Sequence, residues 1–307
     1  MIEVKELRRS FGPVVAVDGI SFEAEKGQVV GLLGPNGAGK TTAMRMLTCF
    51  IRPDSGTASV CGHDILTDPV GVRRSVGYLA ENSPAYPEMT VGGFLKFICD
   101  VRQLGYRQRK RALDRVVPAC SIESVYHQSI ETLSKGYKRR VGLAQALIHD
   151  PDVLILDEPT DGLDPNQKHD VRNLIEGMAK DKCIIISTHI LEEVAAVCNR
   201  VMIIADGKLL ADDTPQGLVA RSRYHNAVSL VVAEAEKVAS ILSELPEVAR
   251  AEIREGELTL FPAGDEDLFE AVTATVKQNG WDLQAMRYEA GRLDEVFHDI
   301  TRGGAAS

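Results

Sequence analysis

The sequence predicts an α/β fold built on a parallel sheet, followed by a small α+β domain. Short β-branched runs alternate with longer amphipathic stretches from Val29 to Ile204, which is typical of parallel strands joined by helical crossovers. Three of these runs are continuously apolar, as expected of strands covered by helices on both faces: Val29–Leu33, Val153–Leu156 and Ile184–Ser187.

The flanks of this sheet follow two other patterns. Upstream, Ile2–Leu7 and Ile20–Ala24 predict strands of a more antiparallel flank. Between Thr90 and Ile130 apolar residues recur every three to four positions, which predicts a helical insert over about residues 88–145. The insert carries a basic cluster, interpreted as a solvated helix face rather than an anion or lipid site: Arg107, Arg109, Lys110, Arg111 and Arg115.

A compositional boundary lies near residue 220. The stretch 221–307 holds 9 Lys and Arg against 16 Asp and Glu, most of the net charge of −9. Its pattern predicts a β-α-β-β-α-β order with a closing helix, typical of a small split βαβ sandwich. The predicted elements are strand Ala227–Ala233, a helix to about Leu245, strands Ala251–Ile253 and Glu257–Leu260, helix Glu266–Gln278, strand Asp282–Tyr288 and helix Leu293–Thr301. We therefore expect domains over 1–220 and 221–307.

Composition excludes several classes of protein. With 307 residues, 44% hydrophobic and 26% charged, the chain can bury a sizeable core without metals or disulfides. Its six cysteines form no Cys-x-x-Cys pair, which favours free thiols in a reducing cytosol. The negative net charge argues against a nucleic-acid partner. The N-terminus does not resemble a secretion signal, and no apolar run approaches the roughly 20 residues that span a bilayer. We expect a cytoplasmic protein that reaches a membrane only through a partner.

A glycine-rich loop follows the first apolar run and precedes a helix that extends to about Leu47. It matches G-x-x-x-x-G-K-[ST], and its backbone N–H groups are expected to surround phosphate oxygens at a helix N-terminus. Lys40 is expected to reach the β- and γ-phosphates, and Thr41 to ligate Mg²⁺. We call this loop the phosphate cradle: Gly34, Pro35, Asn36, Gly37, Ala38, Gly39, Lys40, Thr41 and Thr42.

Polar residues end two later strands. Asp157 and Glu158 follow Val153–Leu156, and ligands bind at the carboxyl ends of parallel strands. Asp157 is expected to hold Mg²⁺, and Glu158 to orient and deprotonate the attacking water. His189 follows Ile184–Ser187 and could donate to the γ-phosphate. With the phosphate cradle, these residues predict an ATP and Mg²⁺ site.

One further segment indicates a family. Leu133–Val141 reads Leu-Ser-Lys-Gly-Tyr-Lys-Arg-Arg-Val and resembles the signature of ABC ATPases, usually Leu-Ser-Gly-Gly-Gln followed by basic residues. The cradle, the strand ending in Asp157, the segment Asp161–Asp164 and His189 follow the family's order, so the resemblance spans residues 1 to about 220. It implies a P-loop NTPase fold of the ABC ATPase type.

The resemblance also implies how the site is completed. In the family, the signature caps the nucleotide of a second subunit, so two ATP molecules lie between head-to-tail subunits. Ser134 and Gly136 are then expected to contact the partner's nucleotide, and Asp164 to contribute to the same site. Ser134 is also expected to cap its own helix, which does not exclude phosphate binding. The implied assembly is a homodimer or a dimer of paralogues.

Several positions depart from the family pattern. Phe11 occupies the place of an aromatic residue that stacks on adenine, usually Tyr, with a core role as the alternative. Glu81 stands where the family has a Gln that touches Mg²⁺ and the attacking water; a carboxylate keeps the acceptor but loses the amide donor. Lys135 and Tyr137 replace the usual Gly and Gln of the signature.

These departures and the C-terminal domain resemble a bacterial subgroup of ATPases that serve exporters. The resemblance implies an ATPase that powers a separate transmembrane permease from the inner face of the cell membrane. The alternative is a non-transport ABC ATPase acting as a regulatory, nucleic-acid or ribosome-associated switch. Such proteins usually carry tandem ATPase domains or long coiled coils, whereas this chain has a single cradle and no heptad run. A further alternative is a regulatory module that binds ATP without hydrolysing it, and only Glu81 favours this alternative.

Overall fold

A computed structural model describes residues 1–81, 85–264 and 268–303. Two compact units are present, Met1–Asp213 and Thr214–Gly303. The division falls before a short helix that begins at Pro215, and the compositional boundary lies near residue 220. This helix contacts the terminal helix of the second unit, which explains why the structural division precedes the change in composition.

The first unit alternates strands and helices along the chain. Its elements are β1 Ile2–Phe11, β2 Val14–Ala24, β3 Val29–Leu33, α1 Lys40–Leu47, β4 Ser55–Val60, β5 His63–Asp64, α2 Pro69–Ser75, β6 Val76–Leu79, α3 Val91–Val101, α4 Tyr106–Ala119, α5 Lys135–Leu147, β7 Val153–Asp157, α6 Pro165–Ala179, β8 Cys183–Thr188, α7 Leu191–Val197, β9 Arg200–Ala205 and β10 Lys208–Asp213.

The central sheet has the strand order β10-β9-β3-β8-β7-β6. Strands β9, β3, β8, β7 and β6 are parallel, and β10 pairs antiparallel with β9 at one edge. Every residue of β3, β7 and β8 is buried, as continuous apolar runs require when both faces of a sheet are covered. The three predicted buried strands are therefore confirmed.

A second sheet of this unit has the order β2-β1-β4-β5 and is antiparallel. It confirms the predicted antiparallel flank. Its inward side chains, such as Val4 and Leu7, share one core with Met44 and Leu47 of α1 and with Leu32 of β3. The helix that follows the phosphate cradle is thus held by apolar packing against both sheets.

The helical insert consists of α3 and α4, followed by α5. The side chain of Thr90 accepts from the Gly93 amide and caps α3, and that of Ser134 accepts from the Tyr137 amide and caps α5. The predicted helices are confirmed. In α4, Arg115 pairs with Asp150 at 2.8 Å, and Arg109 pairs with Asp100, as expected for a solvated helix face.

The elements of the second unit are α8 Pro215–Val219, β11 Ala227–Val232, α9 Ala235–Leu242, β12 Val248–Arg254, β13 Glu257–Pro262, α10 Leu268–Asn279, β14 Leu283–Glu289 and α11 Leu293–Gly303. Its strands form a sheet of order β12-β13-β11-β14 with antiparallel pairing. Its core joins strand residues such as Leu230 and Leu260 to Val238 of α9 and Val272 of α10. The predicted β-α-β-β-α-β order is present, although Glu266, the predicted helix start, lies outside the described residues.

Within the described ranges, none of the helices has the length and apolar composition needed to cross a bilayer.

His149 lies two residues beyond the end of α5 and contacts β6 of the central sheet. Its Nε2 donates to the Val76 carbonyl at 3.1 Å, and no partner for its buried Nδ1 lies among the residues described. Burial lowers the pKa of His149 to about 4, and the nearby Arg102 guanidinium adds to the effect. Its protonation is therefore disfavoured in the folded state.

We expect the free energy of unfolding to fall by about 2 kcal/mol between pH 7 and pH 5 through His149 alone. The pKa is lower in the folded than in the unfolded chain, so stability is lost as pH falls from about 6.5 towards 4. Urea unfolding at both pH values measures the change. His149→Gln should remove it, while His127→Gln, at an exposed site, should not. Equal pH dependence in the parent and His149→Gln would contradict the prediction.

Candidate nucleotide-binding site

The predicted site residues lie at the carboxyl ends of neighbouring strands. Leu33 of β3 pairs with Thr188 of β8, and Ser187 of β8 pairs with Asp157 of β7. The phosphate cradle, the Asp157–Glu158 pair and His189 therefore follow strands that end at one edge of the sheet. Ligands of open parallel sheets bind at this edge.

The phosphate cradle depends on glycine at two of its positions. Gly39 has φ +105°, and a Cβ there would lie 2.2 Å from the Ala16 carbonyl oxygen. A Cβ at Gly34 would lie 2.2 Å from the Ile204 carbonyl oxygen. Pro35, Asn36 and Gly37 are exposed between these anchored ends. The loop is thus fixed at both ends, with its middle open to solvent at the N-terminus of α1.

Lys40 begins α1 and is only 6% exposed. Its Nζ donates to the Gly34 carbonyl at 2.6 Å and the Pro35 carbonyl at 3.0 Å, so the side chain folds back along the cradle. Burial lowers the pKa of Lys40, and the negative charges of Glu158, Asp157 and Glu81 oppose this effect. The structure thus brings the predicted lysine and the three predicted carboxylates into one electrostatic environment.

Asp157 is 1% exposed and ends β7. Its Oδ1 accepts from the Ser187 hydroxyl, whereas its buried Oδ2 has no hydrogen-bond partner among the residues described. A buried carboxylate oxygen without a partner is costly unless a cation binds it. Oxygen ligands of this kind suit Mg²⁺, which uses one or two carboxylates together with substrate phosphates. Asp157 therefore fits the predicted metal.

Glu158 adopts φ +50°, in the left-handed region that is strained for a side chain of this type. Its amide N–H donates to the Ser187 carbonyl at 3.1 Å and lies 3.2 Å from the Ser187 hydroxyl oxygen, which holds this conformation. Its carboxylate accepts from His189 Nδ1 at 2.9 Å. The predicted base and the predicted phosphate sensor are therefore in direct contact, a pairing that sequence spacing did not indicate.

The signature segment, Leu133–Val141, begins α5 with Ser134 and Lys135 exposed. Gly136 lies against α6, since a Cβ there would lie 2.4 Å from Gln167 Oε1. Lys135 Nζ pairs with Asp161 at 2.7 Å, and this hydrogen bond and its charge lower the pKa of Asp161. The departure from Gly at position 135 thus adds an ion pair between the signature segment and the loop before α6.

The other predicted site residues take different positions. Asp164 caps α6, accepting from the Gln167 amide at 2.9 Å. Phe11 is 45% exposed at the end of β1, so its alternative role in the core is wrong, and the Arg9 guanidinium lies 4.9 Å from its ring centre. Glu81 follows β6, at the same sheet edge as Asp157.

Two groups of supporting residues were not identified from the sequence. Ser187 contacts both Asp157 and Glu158. Buried Glu193 of α7 accepts from Thr188 Oγ1 at 3.1 Å and from Lys168 Nζ of α6 at 3.0 Å, which anchors the turn that carries His189. Strand pairing could have indicated Ser187, because β8 lies beside β7; nothing in the sequence pattern indicates the Lys168–Glu193 pair.

The fold is that of a P-loop nucleotide-binding protein, and comparisons with known proteins agree. The family model described as ABC transporter matches residues 17–161. Nod factor export ATP-binding protein I of Paraburkholderia xenovorans (strain LB400) is 34% identical over 301 residues, which are 98% of this chain and 96% of that protein. A solved structure titled as the ATP binding subunit of an ABC transporter has a TM-score of 0.66 and 27% identity, over 71% of this chain and 91% of that chain.

A further relative is longer than this chain. The probable multidrug ABC transporter ATP-binding protein YbhF of Escherichia coli (strain K12) is 37% identical over 223 residues. The match covers 72% of this chain and 38% of YbhF, so this chain spans well under half of that relative. The chain belongs to the ABC transporter family, among its ATP-binding proteins. The predicted family and fold class are confirmed.

Two of the three cradle glycines, Gly37 and Gly39, provide a matched test of the loop geometry. Both have positive φ, but among the described residues no atom lies within 4 Å of a Cβ built at Gly37. We expect Gly37→Ala to destabilise the fold by about 1–2 kcal/mol of left-handed strain. Gly39→Ala should add about 1–3 kcal/mol of overpacking against the Ala16 carbonyl. Urea unfolding measures both, and equal losses would contradict the arrangement described.

Proposed function

We propose that this chain is an ATP-hydrolysing subunit that powers a separate transmembrane exporter. The observation that carries the proposal is the contact between Glu158 and His189 at the sheet edge that also carries Lys40 and Asp157. A P-loop lysine, a buried carboxylate and a carboxylate–histidine pair supply phosphate binding, metal binding and activation of water. The family and the exporter ATP-binding proteins among its relatives support this function.

Within the site, Lys40 and the cradle N–H groups bind the β- and γ-phosphates. Glu158 orients the attacking water and accepts its proton, which requires an ionised carboxylate close to the γ-phosphate. His189 donates to Glu158 in this structure, and rotation of its ring towards the γ-phosphate would release that carboxylate for catalysis. Binding of the γ-phosphate by His189 would thus free the Glu158 carboxylate to accept a proton.

Mg²⁺ would be held by Asp157 Oδ2 and Thr41, with Glu81 nearby, and when bound it would neutralise charge on the phosphates. Ser187 keeps Asp157 in place by donating to Oδ1, which leaves Oδ2 for the metal. Phe11, exposed at the end of β1, is available to stack on the adenine.

The nucleotide site is completed by a second subunit. The phosphate cradle begins α1 and the signature segment begins α5, so one helix N-terminus in each chain remains for the nucleotide of the other. Ser134, Gly136 and Asp164 then contact the partner's nucleotide. ATP binding closes the dimer and hydrolysis separates it. The subunits are identical or paralogous.

The membrane partner is a transmembrane permease, and this chain binds to it at the inner face of the cell membrane. No helix of the described part of this chain can span a bilayer, so transport requires other subunits. Its cargo is not specified by this chain, because substrate contacts belong to the permease. An adjacent reading frame encoding about six apolar spans of roughly 20 residues would support the assignment directly.

Replacing the proposed base tests the activity. Glu158→Gln removes the proton acceptor but keeps size and hydrogen bonding, so we expect steady ATP turnover to fall by at least about 100-fold. Nucleotide binding should persist, and ATP-bound dimers should accumulate on gel filtration. Glu192→Gln, an exposed change on α7, is the control. Unaltered turnover in Glu158→Gln would contradict the assignment.

Mixing two inactive variants tests whether the site is shared between subunits. Lys40→Met disables the cradle and Ser134→Arg disables the signature segment, so each homodimer should be inactive. A heterodimer of the two retains one site built from an intact cradle and an intact signature segment. For random pairing of independent sites, we expect recovery of about a quarter of the parent activity. Absence of recovery, with heterodimers demonstrated by tagged copies, would mean that the site is not shared.

A further inference from the structure

Arg139, in the second turn of α5, is 7% exposed and binds four main-chain carbonyls. Its Nη1 donates to the Ala80 carbonyl at 2.8 Å and the Glu81 carbonyl at 2.7 Å. Its Nη2 donates to the carbonyls of Asp157 and Glu158. One side chain therefore joins the helix of the signature segment to the backbone of both carboxylate-bearing segments.

The environment of Arg139 differs from that of its neighbour Arg140. Arg140 is equally buried but pairs with the Asp170 carboxylate at 3.1 Å. Among the residues described, no carboxylate oxygen lies within ion-pairing distance of Arg139, and only carbonyl oxygens accept from it. Burying a cation without a direct counter-ion is unfavourable, so other charges must offset the cost of burying Arg139.

Acidic side chains beyond ion-pairing distance offset part of this cost. Burial lowers the pKa of Arg139, and the negative charges of Asp157, Asp161, Glu158 and Glu81 oppose this effect. Three of these acids are the residues assigned to metal binding and catalysis. The guanidinium of Arg139 thus donates to the backbone carbonyls of these three residues and not to their carboxylates. The carboxylates therefore remain available to bind the metal and to act in catalysis.

The geometry requires a fork of donors. Each terminal nitrogen of Arg139 bridges two consecutive carbonyls, one pair after β6 and the other at the end of β7. Guanidinium presents its donors in a fixed plane, whereas an ammonium is a single point and can serve only one pair. A lysine would supply the same positive charge, but only an arginine can donate to both pairs of carbonyls.

We propose that Arg139 is a positioning residue for ATP hydrolysis. It fixes the backbone of Glu158, which is already strained at φ +50°, and ties it to the Glu81 backbone and to α5. Movement of the signature helix is thereby transmitted to the base and to the Glu81 segment of the same chain. The proposal rests on the proposed ATPase function, but the backbone connection itself can be tested without ATP hydrolysis.

The test compares Arg139→Lys and Arg139→Met with Arg115→Lys, a change on α4 outside the site, in the full chain. We expect both Arg139 variants to lose roughly 10–100-fold in kcat, since small displacements of catalytic groups reduce rates steeply. Their KM for ATP and their ATP affinity should stay within about 3-fold, because the phosphate cradle is untouched. Arg115→Lys keeps the positive charge that pairs with Asp150 and should keep kcat within about 2-fold.

Amide hydrogen exchange provides the second readout and needs no nucleotide. The Glu158 amide is protected by Ser187, and release of the Arg139 bonds should accelerate exchange of the peptide containing Glu158 by about 10-fold. Exchange in β3, which Arg139 does not contact, serves as the internal control. Acceleration confined to the Glu158 and Glu81 segments would support the backbone connection even in a chain without ATPase activity.

Three results would overturn the proposal. Full kcat in Arg139→Lys would show that charge alone suffices. Unchanged exchange at Glu158 in both Arg139 variants would show that the bonds do not hold that backbone. A parallel loss of kcat, ATP affinity and melting temperature would indicate a general role in folding. An inactive parent chain would instead contradict the ATPase assignment, and the exchange result would still decide whether Arg139 holds the Glu158 backbone.

Discussion

The parallel pairing of β3, β8 and β7 is the constraint on which the whole site depends. Each residue of these strands is buried, so a shift of register would expose apolar side chains or bury polar ones. The observed register places Leu33 beside Thr188 and Asp157 beside Ser187. Residues more than a hundred positions apart in sequence are therefore held at one edge by hydrophobic burial, and their polar contacts are a consequence of it.

That edge places two buried cations close to several carboxylates. Lys40 and Arg139 are both buried and both donate to carbonyl oxygens rather than to carboxylates. The acids around them are therefore left with unused acceptors, most clearly Asp157 Oδ2. The positive charges of Lys40 and Arg139 offset those of the nearby acids without forming ion pairs, so carboxylate oxygens remain unpaired. Such a site is suited to binding a cation and a polyanion together.

Much of this could be predicted from sequence, for identifiable physical reasons. Continuous apolar runs specify strands buried on both faces, and Gly34–Thr42 requires a phosphate-binding turn, so the sheet and cradle followed directly. The contact of His189 with Glu158 did not follow, because it depends on the left-handed backbone at Glu158 and on the lateral order of strands. Neither the Lys168–Glu193 pair nor the four bonds of Arg139 has a local pattern, since each joins elements distant in the chain.

The Arg139 connection has a consequence for a dimer with shared sites. In such a dimer, the start of α5 contacts the partner's nucleotide, while Arg139, one turn further along the same helix, holds the base that acts on the chain's own nucleotide. The state of one nucleotide is then mechanically linked to the backbone of the other site's base. Because coupling between binding sites is reciprocal, each site would influence the other equally in affinity, without requiring equal rates of hydrolysis. The link between the two sites would then pass through α5 and the four hydrogen bonds that Arg139 donates to backbone carbonyls.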